Sequence, residues 1–314
     1  MATERSYALA ALGGATFIAF SAPLVRVAEA SPAASTLMRC GFALPVLWLL
    51  MVLEERRPHT RPSTRDRWLM RLAGACLAGD LLLWVNAISA VGAGLATVLG
   101  NLQVLAVGGL AWWLLGERPR RSLALALPVM LVGVVLVSGV VGQGAYGDDP
   151  LAGVLYGGGA SLMYAAYLLL LRAATRTAPP AGASRPGVVR PLAEATLGAT
   201  VAGAVASLVL PGFDLGGGSG VAWSLLLALT SQVVGWLLIT AGMPHLPAAV
   251  TSVLLLVQPV LAVVVGFTLL AERPSGVQLL GVALIIGGVV VTTLGTRRTP
   301  IDPVPPEVPA ALER

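Results

Sequence analysis

The sequence predicts an all-α integral membrane protein with ten transmembrane helices, built as two inverted five-helix repeats. Three observations carry that expectation. Charged residues are 11% of the chain and apolar ones 56%, far from the balance of a water-soluble domain. About 20 apolar residues cross the hydrocarbon layer, and ten such spans can be marked: 7–28, 31–53, 68–90, 92–115, 120–142, 150–172, 191–212, 221–242, 247–270 and 275–296. Finally, a short pattern occurs twice in step, 155 positions apart, as Gly116-Glu117-Arg118-Pro119 and Ala271-Glu272-Arg273-Pro274.

The register holds without a gap from Gln103/Gln258 to Gly133/Gly288, setting Leu114-Leu115 against Leu269-Leu270 and Val134-Val135 against Val289-Val290. A duplicated helical unit follows. Residues 1–148 form the first five-helix repeat and 149–298 the second, and the Pro-rich 299–314 stretch is a disordered cytoplasmic tail. Five is odd, so the second copy must enter the bilayer upside down.

Arginine agrees. With both termini cytoplasmic, Arg5, the group from Arg56 to Arg71, Arg118, Arg120, Arg121, Arg172, Arg176, Arg185, Arg190, Arg297, Arg298 and Arg314 lie inside. Only Arg273 falls in an outer loop, and the external second corner has dropped the extra arginines that the first keeps as Arg120 and Arg121. Trp68, Trp112 and Trp113 then sit near the inner interface and Trp223 near the outer. The expected location is the inner (plasma) membrane, crossed many times. Span 1 is too long for a cleaved leader, carries Glu4 beside Arg5 in its head, and is needed to complete the first repeat.

Composition also narrows the chemistry. Lys is absent, which removes a Walker A lysine and a lysine Schiff base. Energy for any active process must come from a gradient or from another chain. The basic pI of about 9.9 follows topology and lipid contact, and no nucleic-acid partner is expected. Cys40 and Cys76, in spans 2 and 3, differ in depth by roughly 7 Å and read as small apolar filler. No His/Cys/Asp cluster has metal-ligand spacing, and no nucleophile stands beside a base. Neither metal, cofactor nor enzymatic activity is expected, and His59 and His245 read as solvated loop residues.

Ionisable groups in hydrocarbon cost roughly 2.5–3.5 kcal/mol each on insertion scales, so those present need a reason. Asp80 lies roughly 15 Å deep in span 3, and Arg39 reaches roughly 12 Å from the same side in span 2. Asp80 is either a cavity-facing charge that binds substrate or exchanges a proton, or half of a static ion pair with Arg39. Asn101 and Gln103 in span 4, Gln232 in span 8 and Gln258 in span 9 form an amide layer at roughly 14–17 Å. They would hydrogen-bond a polar substrate or glue helices together. Asn101 and Gln103, two residues apart on a helix, cannot both face one cavity squarely.

Trp84, one turn from Asp80, and Tyr164 with Tyr167 could wall a pocket or simply pack. Pro259 frees a backbone carbonyl in span 9 and reads as a hinge. Glu194 is expected to snorkel or to pair with Arg190, and Arg26 to anchor at the outer interface. Gly153/Gly157 and Gly198/Ala202/Ala206 make small-residue stripes for close helix approach. Pro119 and Pro274 open spans 5 and 10, where a missing N–H costs nothing, and Glu117 and Glu272 beside them read as structural.

These features resemble the drug/metabolite transporter superfamily, specifically its EamA-type ten-helix members. The matching residues are Pro32 with Arg39, and Gln258-Pro259-Val260 through Gly266 to Glu272-Arg273-Pro274. Gln278, Gly281 and Gly287-Gly288 continue the match, with Gly157-Gly158 and Tyr164-Ala165-Ala166-Tyr167 ending at Arg172 in span 6. One departure stands out: span 4 has Val104 where span 9 has Pro259, so only the second copy keeps a proline kink. The resemblance implies a secondary transporter, often an exporter of amino acids or other small metabolites, driven by proton or substrate antiport. Two five-helix halves around a central cleft, working as a monomer or homodimer by alternating access, fit that plan. A channel, or a membrane partner protein that transports nothing, is the alternative.

Overall fold

The structure is a computed structural model that describes residues 2–54, 62–115, 121–175, 187, 189–242, 246, 254 and 257–294. Glu117, Arg118, Pro119 and Arg120 of the first corner lie outside the described residues, as do Arg56, Arg57, Arg61, Arg176, Arg185, His59, His245 and everything from 295 onward. All regular structure among the described residues is helical.

Ten spans are present. α1 runs as Ala2–Ala19 and Ser21–Ala28; α2 is Pro32–Glu54; α3 is Thr64–Val91; α4 runs as Ala93–Gly100 and Gln103–Leu115; α5 is Arg121–Val137. α6 is Pro150–Thr175, α7 is Val189–Val209, α8 is Gly217–Gly242, α9 is Val257–Leu269 and α10 is Gly276–Leu294. Seven are long and apolar enough to cross a bilayer, and the helices of spans 5, 9 and 10 are shorter but equally apolar.

Local chemistry sets several boundaries. Ser63 and Asp66 form a reciprocal capping box that starts α3. Ser275 and Gln278 do the same for α10: the Ser275 amide donates to Gln278 Oε1 at 3.0 Å and the Gln278 amide to Ser275 Oγ at 3.3 Å. Pro274 therefore precedes the helix it was expected to begin. Span 5 stops at Val137, short of the expected 142, because Gly139, Gly142, Gly144 and Gly147 all take positive φ and turn the chain back. α1 is interrupted at Phe20, one turn before Pro23, whose ring nitrogen has no hydrogen to donate.

The packing pattern obeys the exchange of each helix with the one five places later. α3 packs on α6 as α8 packs on α1; α3 on α7 as α8 on α2; α4 on α6 as α9 on α1. The pairs α2–α7, α4–α9 and α5–α10 exchange with themselves. A twofold axis lying between halves of odd helix number requires this arrangement, so the fold is a pair of inverted five-helix repeats.

Close approaches fall where small residues allow them. A Cβ at Gly198 would stand 2.0 Å from the Arg71 carbonyl oxygen, and one at Gly74 would stand 1.9 Å from that of Ala195. α3 and α7 thus touch backbone to backbone. Gly198→Ala should lower the unfolding midpoint in detergent, because backbone cannot step aside as a flexible side chain can. The overpacking cost of about 1–3 kcal/mol exceeds the gain of up to about 1 kcal/mol from helix propensity. A midpoint at or above that of the parent would mean the two helices slide apart freely.

Near the start of α7 Glu194 is 1% exposed, too buried to snorkel. Its carboxylate bonds Arg71 Nε at 2.8 Å and Arg190 at 3.6 Å, so the expected pairing with Arg190 is joined by a partner from α3. Cys40 and Cys76 are free thiols. Trp68, Trp112 and Trp113 are well exposed, as interfacial aromatics are.

Candidate functional site

Where the two halves meet, a cavity of about 350 Å³ opens among α1, α2, α3, α4, α6, α8 and α9. That is enough for a small organic solute. Seven of the eight binding candidates read from the sequence line it: Arg39, Asp80, Trp84, Asn101, Gln103, Tyr164 and Gln258. The eighth, Gln232, does not. It is 0% exposed and stands behind Arg39, whose Nε donates to Gln232 Oε1 at 3.1 Å. Tyr167 is also turned away; its ring sits 5.4 Å from that of Tyr164 and is buried in the α3–α6–α7 packing.

Asp80 is half-buried on the cavity wall. Among the described residues its carboxylate takes no hydrogen bond and forms no ion pair. The static Arg39–Asp80 pair is therefore not the arrangement found. Arg39 is occupied elsewhere: besides Gln232 it donates through Nη2 to Ser231 Oγ at 3.4 Å, and its guanidinium lies 6.0 Å from the Trp84 ring centroid.

α4 explains why Asn101 and Gln103 both reach the cavity. The helix is broken between Gly100 and Gln103, so the 100° step of a continuous helix does not apply across them. Amides of Asn101 and Leu102 reach back three residues, to the carbonyls of Val98 and Leu99, as in a tighter turn. Side chains cover the carbonyls at the break: Ser161 Oγ from α6 shares its one proton between Leu99 O at 3.1 Å and Gly100 O at 3.2 Å, and Asn101 Nδ2 donates to Thr97 O at 2.9 Å. The missing proline at Val104 does not spare the first copy its interruption. On the repeat register, 155 positions on, Leu102 corresponds to Val257, and residues 255 and 256 just before it lie outside the described residues. Pro259 is buried in α9, three positions before the buried Ala262.

Other wall residues were not singled out in the sequence. Trp236 is the main one. It faces the same cavity from α8, and a signal for it exists: Asp80-Leu81-Leu82-Leu83-Trp84 recurs as Gln232-Val233-Val234-Gly235-Trp236, 152 positions on. Thr97 and Gly100 complete the α4 face, and Ile18, Leu77, Leu81, Leu168 and Ile239 supply apolar wall.

The end of the bundle that carries the α1–α2 and α9–α10 corners is closed by packing and by one carboxylate. Val25, Val85, Ile88, Val91, Leu95 and Leu227 belong to a single buried cluster beyond the cavity. Glu272, 2% exposed, accepts from the Ala93 amide at 2.5 Å and the Gly94 amide at 3.0 Å, capping the start of α4 from the α9–α10 corner. Gly92 and Gly266 make room, since a Cβ on either would come within 2.7 Å of the carboxylate. Nearby, Gln278 satisfies four backbone groups of Val137, Tyr146 and Ser275, pinning the α5–α6 loop.

The EamA-like transporter family matches residues 5–139 and 151–294 of this chain, one half after the other. The chain belongs to the EamA-like transporter family. As such it is a multi-pass membrane transporter, not a member of an enzyme family. Among curated relatives, a protein of Bacillus subtilis (strain 168) named "Uncharacterized transporter YwfM" is 28% identical over 232 residues, 73% of this chain and 74% of that one. A solved structure titled "Crystal structure of protein" covers 94% of this chain and 99% of its own at a TM-score of 0.62. At 19% identity it shares the fold. The duplicated EamA-like unit accounts for the cavity at the junction of the halves.

Proposed function

We propose that this EamA-like protein is a secondary carrier that moves a small polar or amphipathic metabolite of amino-acid size outward across the inner (plasma) membrane. Both termini face the cytoplasm, and the two repeats alternate access to the cavity between them. The observation that carries the reading is the Asp80 carboxylate, placed on the wall of that cavity with no hydrogen bond or close ion pair among the described residues. An ionised group in hydrocarbon is retained for binding, for proton exchange, or for pairing, and the open carboxylate favours the first two. Asp80 takes the cationic or proton-donating part of the solute, or exchanges it for a proton. Asn101, Gln103 and Gln258 supply neutral hydrogen bonds. Trp84, Trp236 and Tyr164 give flat apolar walls.

In this reading the Val25–Leu227 cluster and the Glu272 tie are the closed outer gate. The break at 101–102 in α4 is where that helix bends, and Pro259 is the hinge in α9. Broken helices at mid-membrane are a recurring device in inverted-repeat carriers.

Solute counterflow in proteoliposomes tests the carrier. Vesicles preloaded with a candidate amino acid should accumulate trace label in a saturable way, and Trp236→Ala should raise the half-saturation concentration by about tenfold through loss of an aromatic wall. Flux that does not saturate would point to a channel. No flux across a panel of amino acids, nucleobases and sugars would sink the carrier reading.

A further inference from the structure

We infer that Arg39 is the receptor for a carboxylate of the transported solute, and that Gln232 is the positioning residue that holds it ready. The inference rests on the carrier reading above and adds which group binds which end. A guanidinium cannot lose its charge in a protein, and a buried charge left without a counterion is costly. Arg39 is 6% exposed and borders the cavity. Every hydrogen bond and ring contact it makes among the described residues is with a neutral group: the Gln232 carbonyl, the Ser231 hydroxyl and the Trp84 ring. These fix the side chain without discharging it. Asp80, the carboxylate on the same wall, attracts it from a distance but forms no ion pair with it.

The scaffold behind Arg39 is built for this one side chain. α8 is π-helical through Ala228–Gly235, the stretch that carries Ser231 and Gln232 side by side onto the guanidinium. Such stretches are rare and occur mostly at functional sites. Each support is itself held: Ser231 Oγ lies 2.5 Å from Ser21 Oγ of α1, and Gln232 Nε2 donates to Thr196 Oγ1 of α7 at 3.5 Å. Four helices from both halves thus converge on one cation. These hydrogen bonds engage Nε and Nη2 and leave Nη1 unused among the described residues. A carboxylate in the cavity would give the guanidinium a direct counterion through charge-assisted bonds, which are shorter and stronger than neutral ones.

Matched probes test this without knowledge of the natural solute. Alanine, leucine and phenylalanine keep both charges, whereas their carboxamides keep the amine and lose the carboxylate. Binding to the purified full chain in nanodiscs is measured by titration calorimetry. At least one acid should bind about tenfold or more tighter than its amide. Gln232→Glu sets a carboxylate against Arg39 and should remove that preference, bringing the affinity of the acid to that of its amide or below it. Gln232→Asn, which only withdraws the carbonyl, should reduce the preference in part. Equal binding of acid and amide by the parent protein, or binding of none of the six, overturns the inference. So does an acid preference that survives Gln232→Glu. Counterflow separates the two claims: acid-selective binding with no counterflow of any solute leaves the receptor standing and removes the carrier.

Discussion

Asp80→Asn should abolish solute counterflow in proteoliposomes while leaving expression and the unfolding midpoint close to those of the parent. The substitution keeps size and shape and removes only the charge. Because the Asp80 carboxylate forms no ion pair or hydrogen bond among the described residues, the substitution breaks no direct bond and removes only its longer-range attraction to Arg39. A charge-assisted hydrogen bond to substrate contributes about 1.5–3 kcal/mol, or roughly a 10- to 150-fold loss of transport at limiting solute. If the same carboxylate also exchanges protons, the loss is complete. Glu194→Gln is the informative contrast. Glu194 is held at 2.8 Å from Arg71 and 3.6 Å from Arg190, so its replacement should lower stability. Counterflow by Asp80→Asn at more than about a tenth of the parental rate would remove Asp80 from the mechanism.

Glu272→Ala should produce the largest loss of stability among single substitutions of buried polar groups. Its carboxylate satisfies the Ala93 and Gly94 amides at the first turn of α4, in a pocket closed by Gly92 and Gly266. Truncation leaves two buried N–H donors unmet, at about 1–3 kcal/mol each, and removes a negative charge from the positive end of a helix. Burial, reinforced by Glu272, raises the Tyr146 phenol above its ordinary value, so the ring beside this pocket stays protonated and adds no competing charge. An apparent midpoint lower by about 5 °C or more is expected in detergent. Glu272→Gln should fall between, since its carbonyl can still accept while its NH2 opposes a donor. Exposed Glu29 is the control, and Glu29→Gln should change little. A midpoint for Glu272→Ala equal to that of the Glu29 control would show that the amides find other acceptors.

The sequence reading of Glu272 as a structural residue anticipated its role but not its partner. The Glu-Arg-Pro repeat marks a corner; nothing in it names the donor amides on α4, 179 positions away. The same limit applied to Gln232. Depth alone assigned it to the amide layer, yet depth is one coordinate, and the π-helical stretch of α8 turned its amide onto Arg39 instead of into the cavity. Asn101 and Gln103 failed for a related reason. The spacing rule assumed an unbroken helix, and the break between Gly100 and Gln103 is sustained by Ser161 from another span. Trp236 could have been found by extending the repeat comparison to spans 3 and 8, where a different offset hides it.

What the sequence determined by itself is everything that one coordinate along the membrane normal can carry. Hydrocarbon rejects charge and unpaired backbone, so the ten spans, their alternation, the duplication and the depth of each embedded polar group follow from local composition. Tertiary structure alone decided azimuth: which face of each helix meets the cavity, which meets a neighbour and which meets lipid. In a bilayer, lipid-facing and helix-facing surfaces are both apolar, so the 3.6-residue period that reveals a buried face in water carries little signal here. The partners of Arg39, the openness of Asp80 and the cap on α4 all depend on that rotation, and it is fixed only when the two halves pack together.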